Sequence, residues 1–126
     1  MLIDGSQPIY KQIIDTYKKQ LIRGELKQGD KIPSQRELAE KLRVNPNTVQ
    51  RAYREMESMN MVETLRGQGT FIAASDAMLR QFKEEMAQGL LKHFVSELRA
   101  LGYHESELPG LLEEYICHGE EEKSDD

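Results

Sequence analysis

The stretch SQRELAEKLRVNPNTVQRAYREM, residues 34–56, contains two short amphipathic patterns with a helical period. The first pattern begins at Ser34, which fits a capping box with Glu37, because each side chain can cap the other's backbone amide. The second begins at Asn45 and Pro46, since asparagine is a good N-cap and proline is favoured just inside a helix. Two short helices joined by a tight connection predict a helix-turn-helix unit.

The second helix of this unit presents two chemically different faces. Its apolar residues form one stripe that is suited to a core, namely Val49, Ala52, Tyr53 and Met56. The other side carries groups that match base edges and phosphates in DNA, namely Asn45, Asn47, Thr48, Gln50, Arg51 and Arg54. The alternative is a solvated face on which Arg51 pairs with Glu55 one turn later. The segment from Lys41 to Arg54 contains cations and no acidic residue, which favours a DNA-reading helix.

The start of the first helix of the unit is a second candidate contact. Helix N-termini favour anions through their free amides and their dipole. Ser34 and Arg36 lie there, so we expect them to bind a phosphate. The alternative for Arg36 is a structural ion pair with Glu40 at the next turn.

A hairpin follows the helix-turn-helix pattern. Residues 61–66 and 69–73 have strand-like patterns, and a glycine-containing turn separates them. A hairpin in this place is a wing. Small residues at its tip let the backbone approach phosphate, and Arg66 could enter a minor groove. The candidate wing residues are Arg66, Gly67, Gln68 and Gly69, and the alternative is a plain hairpin with turn glycines.

Helices are predicted on both sides of this region. The first is expected to start at Pro8, and a long amphipathic helix is predicted from Asp76 to Leu101, with a last helix from about Ser106. The apolar stripe of the long helix is too extensive for so small a protein to cover alone, which predicts a partner surface. The candidate dimerisation residues are Leu79, Phe82, Met86, Leu90, Leu91, Phe94, Leu98 and Leu101.

The sequence therefore predicts a mainly α fold, a winged helix-turn-helix followed by a short two-helix dimerisation region. The expected domains are a DNA-binding domain at residues 1–75, a helical dimerisation region at 76–118 and an acidic disordered tail at 119–126. Charge supports this division. The net charge of −5 conceals 12 Lys and Arg against 9 Asp and Glu in residues 1–75, and 5 against 13 in residues 76–126. Such asymmetry suggests that the first part meets a polyanion.

Localisation and other chemistry follow from simpler features. No apolar run is long enough to span a membrane and no secretory signal is visible, so a cytoplasmic protein without membrane contact is expected. The single cysteine, Cys117, excludes an internal disulfide. His104, Cys117 and His118 lack the spacing of a metal-ligand set, and no catalytic constellation appears. We expect no metal, no cofactor and no enzymatic activity.

Residues 8–73 resemble the GntR-type winged helix domain. The resemblance rests on four stretches in the family's order and spacing, namely PIYKQI at 8–13, GDKIPSQRELA at 29–39, NTVQRAY at 47–53 and RGQGTF at 66–71. They cover about half of the chain and are highly specific. The short C-terminal part is similar to the YtrA-like subgroup, which lacks a large effector-binding domain and resembles dimeric repressors often linked to transporter operons.

This resemblance implies DNA contact by the positions that match Ser34, Arg36, Asn47, Thr48, Gln50 and residues 67–69. One position departs from the pattern, because many relatives carry a DNA-contacting arginine where this chain has Pro46. Base readout is therefore expected to shift towards Asn47, Gln50 and Arg51, so the operator of another member does not transfer to this chain.

The expected function is sequence-specific DNA binding by a transcription regulator. The protein should be a homodimeric repressor of an operon, such as a transporter operon, on an inverted-repeat operator in double-stranded DNA. The alternative is a winged-helix protein-interaction module whose acidic half binds a basic partner. Groove-matched donors on the second helix favour DNA. The sequence identifies no small-molecule effector.

Overall fold

The structure is a computed structural model that describes residues 1 and 3–124, with side chains described as far as residue 119. It is mainly helical with a small sheet, as the sequence predicts. The elements in chain order are α1 (Ile9–Ile22), β1 (Lys31–Ile32), α2 (Gln35–Leu42), α3 (Pro46–Ser58), β2 (Val62–Leu65), β3 (Gly69–Ile72), α4 (Asp76–Ala100), a 3-10 turn (Glu105–Glu107) and α5 (Leu108–Ser124).

Local capping chemistry sets the starts of α2 and α3. Ser34 Oγ accepts a hydrogen bond from the Glu37 amide at 3.1 Å, and Asn45 Oδ1 accepts one from the Asn47 amide at 2.8 Å. Each cap satisfies an amide that has no partner inside its own helix. Pro46 occupies the first helical position of α3, where its missing N–H costs nothing. The two predicted helix starts are thus present.

The sheet has one strand more than the predicted hairpin. The strand order is β1-β3-β2, and both pairings are antiparallel. Strand β1 contains only two residues, with Lys31 opposite Phe71 and Ile32 opposite Thr70. Two residues are too few to show the alternating pattern by which a strand is recognised in a sequence.

The chain divides into two compact units, Met1–Glu84 and Glu85–Asp126. The first unit has a continuous core to which α1, α2, α3 and the sheet all contribute. Its most deeply buried side chains include Ile13, Val49, Tyr53, Met56 and Met61. Burying a large apolar side chain contributes about 1.5–3 kcal/mol, so these side chains stabilise the first unit.

One predicted dimerisation residue belongs to this core. Phe82 is 7% exposed and packs in the core of the first unit, and Leu79 is partly buried against the same cluster. The Lys18 ammonium of α1 lies 4.7 Å from the centre of the Phe82 ring. Phe82 is thus a core residue of the first unit, and little of its side chain is left to meet a partner. The helical stripe in the sequence is continuous and does not reveal that its first turns pack against this core.

A short turn joins the two helices of the second unit. His104 caps the 3-10 turn and the Glu107 side chain reciprocates, so this turn contains a capping box. Arg99 and Glu105 form an ion pair across it. Leu108 is a buried residue of this unit. These local bonds fix the direction in which the chain leaves α4.

Helix α5 ends at Ser124, so its backbone enters the segment 119–126 for which the sequence predicts an acidic disordered tail. Glutamate and lysine, which follow Gly119, are good helix formers, and no proline interrupts them. The side chains of residues 120–126, and residues 125 and 126 altogether, lie outside the described residues.

A buried pair of tyrosines connects three segments of the first unit. The Tyr53 hydroxyl of α3 donates a hydrogen bond to the Pro33 carbonyl at 2.5 Å. Tyr53 Oη also lies 3.2 Å from the Tyr17 hydroxyl of α1. Because a phenol has one proton and Tyr53 gives its proton to Pro33, Tyr17 is the donor in the second bond. Burial raises the pKa of both phenols above the ordinary value, which keeps them protonated and able to donate.

Replacing Tyr53 by phenylalanine should lower the free energy of unfolding by about 1–3 kcal/mol, because the Pro33 carbonyl would lose its donor and the buried Tyr17 hydroxyl would lose its acceptor. The change in the urea midpoint at constant slope would measure it. Tyr103→Phe is the matched control, since Tyr103 lies in the second unit and is 38% exposed. Equal stability of the two variants would contradict a role for the Tyr53 bond.

Candidate nucleic-acid interface

A groove between the start of α2 and the start of α3 brings the central candidate residues together. It is open, has a volume of about 470 Å³, and is lined by Gln35, Arg36, Ala39, Glu40, Val44, Pro46, Asn47 and Gln50. Its polar lining therefore combines carboxamides with a guanidinium and the carboxylate of Glu40. Carboxamide and guanidinium groups are those that bind adenine and guanine edges through paired hydrogen bonds.

The turn between the two helices sets how they face this groove. Arg43 ends α2 in the left-handed conformation, with φ 55°, which is costly for a residue with a Cβ. The Val44 amide donates to the Ala39 carbonyl at 3.2 Å, which closes the helix end. The chain then reaches the Asn45 cap and enters α3 directly. Asn45 is thus occupied in capping, although the sequence also places it among the contact residues.

The exposed face of α3 carries the polar residues that the sequence selects. Asn47, Gln50 and Arg54 are exposed, while Thr48 is half-buried. Among the residues that the structure describes, Arg54 has no ion-pair partner. The apolar stripe is buried on the opposite side, as predicted, and consists of Val49, Ala52, Tyr53 and Met56. The face that is free to meet a ligand is therefore polar and cationic.

Arg51 is held more firmly than its neighbours on α3. Its guanidinium carbon lies 3.8 Å from the centre of the Tyr10 ring, and its Nη2 donates to the Tyr10 hydroxyl at 3.2 Å. Its Nε is 3.6 Å from a carboxylate oxygen of Glu55. The Glu55 pairing is the alternative that the sequence offers, whereas the contact with Tyr10 has no signal in the sequence because α1 is distant along the chain.

Arg36 makes the ion pair that the sequence offers as its alternative role. Its Nε lies 3.4 Å from the Glu40 carboxylate, and the two side chains are 90% and 70% exposed. An ion pair so open to water contributes at most about 1 kcal/mol. The arginine can therefore exchange this partner for a phosphate at little cost. Ser34, close by, uses its hydroxyl for the α2 cap.

The wing tip is a tight turn built on glycines. Gly67 and Gly69 have φ values of 79° and 127°, which side-chain-bearing residues rarely adopt. The Gln68 amide donates to the Leu65 carbonyl at 2.9 Å and closes the turn. Arg66, Gly67 and Gln68 are exposed. The tip thus presents a cation and accessible backbone at the end of the hairpin.

Lys31 is a cation at the wing that the sequence does not indicate. A Cβ added at Gly69 would lie 2.6 Å from Lys31 Cε, so the lysine chain occupies the space that a side chain at Gly69 would take. The strand β1 that carries Lys31 is too short to be recognised, and its place beside β3 becomes visible only in the sheet. Lys31 adds to the positive charge supplied by Arg66.

The predicted dimerisation residues of the second unit divide by exposure. Leu90, Leu91 and Leu101 are exposed, while Met86, Phe94 and Leu98 are half-buried. An apolar groove of about 500 Å³ lies between α4 and α5 within this unit, and it is lined by Leu91, Phe94, Val95, Arg99, Glu105, Leu108, Pro109 and Leu112. Outside it, Tyr115 and Ile116 of α5 are exposed as well. This unit therefore presents a broad apolar surface.

Other kinds of site have no support within the described residues. No group of three or more His, Cys, Asp and Glu side chains there is arranged to hold a metal ion. No helix in that part of the chain is both long and apolar enough to cross a membrane. The chemistry present in the first unit is that of hydrogen-bond donors and cations on the exposed side of α3.

Comparison with known proteins identifies the relatives of this chain. The family model "Bacterial regulatory proteins, gntR family" matches residues 9–72. The HTH-type transcriptional regulator YhcF of Bacillus subtilis is 47% identical over 104 residues, which are 82% of this chain and 86% of that protein. The HTH-type transcriptional repressor YtrA of the same organism is 43% identical over 90 residues, which are 67% of this chain and 69% of that protein.

Solved structures agree in fold. A GntR family transcriptional regulator from Listeria monocytogenes superposes with a TM-score of 0.76 at 37% identity, over 89% of this chain and 98% of that one. The DNA-binding domain of AraR in complex with its operator superposes with a TM-score of 0.51 at 25% identity, over 58% of this chain and 88% of that one. The fold of this chain is therefore one that known regulators share.

Proposed function

The chain belongs to the GntR family of bacterial regulatory proteins and is a DNA-binding transcription regulator, and from that premise we propose that it acts in the cytoplasm as a homodimeric repressor on an inverted-repeat operator. In this proposal two copies of α3 enter successive major grooves on one side of the duplex. Half-sites about 10 base pairs apart, or a multiple of that, match the symmetry of such a dimer.

The observation that carries the proposal is the groove between α2 and α3. It is lined by Asn47 and Gln50 of α3 and by Arg36 of α2. The opposite side of α3 is buried in the core. A helix just fits the major groove of DNA. The carboxamides of Asn47 and Gln50 would then face base edges, while Arg36 at the start of α2 would face a phosphate.

The proposed role as a repressor rests on a named relative and on occupation of promoter DNA. YtrA, a relative that matches two thirds of this chain, is itself named as a transcriptional repressor. A compact dimer seated on a promoter would act by occupying DNA that the polymerase needs. The operon of a transporter is a target consistent with this subgroup.

Dimerisation is assigned to the second unit. Leu90 lies in the second half of α4 and is 72% exposed. Leu101 directly follows the last residue of α4 and is 74% exposed. Monomeric proteins rarely leave large contiguous apolar patches open to water. A second copy that covered these residues would gain about 25 cal/mol for each Å² of apolar surface buried, before the cost of association is subtracted.

Binding measurements with two variants test the DNA-reading assignment. The specific duplex is the site upstream of the gene that footprinting with this protein identifies. Gln50→Ala should weaken binding to this duplex by about 1–3 kcal/mol and leave binding to unrelated DNA unchanged, because it removes a base contact. Arg36→Gln should weaken binding to both duplexes alike and reduce the slope of log K against log [salt], because it removes a phosphate contact. If both variants bind both duplexes more weakly by one common factor, the assignment is wrong.

The dimer assignment is tested separately by the mass in solution. Leu90→Glu places a charge on the apolar patch and should give a monomer, while the exposure of this residue in the single chain leaves the fold intact. Gln88→Glu is the control, because it adds the same charge to an exposed residue that points to the opposite side of α4. Light scattering that finds two chains per particle for Leu90→Glu would exclude this surface as the interface.

A further inference from the structure

Tyr10 and Arg51 form a contact between the first turn of α1 and the exposed side of α3. The guanidinium carbon lies 3.8 Å from the centre of the ring, and Nη2 donates to the tyrosine hydroxyl at 3.2 Å. We propose that Tyr10 is a positioning residue for DNA binding, which holds Arg51 aside from the base-reading ridge of α3 so that Arg51 binds a backbone phosphate. This role differs from the base contact that the sequence predicts for Arg51.

The direction of the side chain is the first support. Consecutive residues of a helix point about 100° apart. Gln50 lines the groove towards α2, and Arg51, the next residue, is drawn towards α1 by Tyr10. The major groove is about 12 Å wide, which a helix of about 10–12 Å nearly fills. A side chain drawn sideways from α3 therefore meets the phosphate wall of the groove instead of the base edges on its floor.

The chemistry of the contact leaves the guanidinium able to bind a phosphate. Stacking occupies one face of the group, and one N–H is used by the Tyr10 hydroxyl, so several of its five N–H donors remain. The Arg51 side chain is 60% exposed. A planar guanidinium that is already oriented gives up less freedom when it binds a phosphate through two parallel hydrogen bonds.

Glu55 explains why this positioning matters. It lies one turn after Arg51, where a carboxylate and a guanidinium attract each other. The Nε to carboxylate distance is 3.6 Å, longer than a hydrogen bond. With the Tyr10 contact in place, the guanidinium is therefore within ion-pair distance of Glu55 but is not hydrogen-bonded to it. Without the ring, Arg51 is expected to move to hydrogen-bonding distance of Glu55, whose carboxylate would then compete with the phosphate for the guanidinium.

The test uses the full-length protein, the footprinted duplex from upstream of the gene and an unrelated duplex of equal length, each over a range of salt concentrations. Arg51→Gln should weaken binding to both duplexes by one factor, and the slope of log K against log [salt] should fall by about 0.9 for each phosphate that the variant leaves unneutralised. Tyr10→Leu should reproduce this effect, while Tyr10→Phe, which retains the ring, should keep most of the affinity. Adding Tyr10→Leu to Arg51→Gln should weaken binding no further.

Glu55→Gln provides the rescue that a merely structural role of Tyr10 would not give. In the Tyr10→Leu background it should restore both the affinity and the salt slope, because Arg51 no longer has a carboxylate to pair with. The proposal is overturned if Arg51→Gln weakens only the specific duplex, if Tyr10→Leu leaves the salt slope unchanged, or if Glu55→Gln fails to restore it. The inference rests on the proposed function, in which α3 enters the major groove, and Gln50→Ala checks that step independently, since this variant should alter only specific binding.

Discussion

The hydrogen bond from the Tyr53 hydroxyl to the Pro33 carbonyl is the constraint on which the placement of α3 beside α2 depends. Tyr53 is fully buried on the inner side of α3, and Pro33 is the residue just before the Ser34 cap of α2. This bond therefore ties α3 to the start of the helix that precedes it. Tyr17 extends the connection to α1, and the two rings pack edge to face with centres 6.3 Å apart, which favours one arrangement of the three segments.

The outer surface follows from this inner connection. Because α3 packs between α1 and α2, Gln50 lines the groove with α2, while Arg51 contacts Tyr10 of α1. The wing is attached through a sheet whose central strand pairs on both edges. The two parts of the chain also differ in charge, since residues 1–75 are net positive and the rest of the chain is strongly acidic. The acidic part is repelled by DNA, which favours binding through the winged-helix unit.

The sequence predicts those parts of the fold that have local causes. Caps at Ser34 and Asn45, the stripe of α3 and the glycine turn of the wing all depend on residues within a few positions of one another. The parts that it misses depend on distant residues. Strand β1 exists because Lys31 pairs with β3, Phe82 is buried because the start of α4 packs on the first unit's core, and Arg51 is turned by Tyr10. Which of several exposed cations lie near the wing is likewise a matter of chain topology.

The start of α2, the exposed side of α3 and the wing tip together form the one surface that we propose meets DNA. Backbone amide chemical shifts recorded while the footprinted duplex from upstream of the gene is added would test this claim most directly. We expect the shifts to concentrate in residues 34–36, 47–54 and 66–69, with little change at the amides of the buried α1 core. Shifts confined to residues 85–119, with α3 and the wing unaffected, would contradict it.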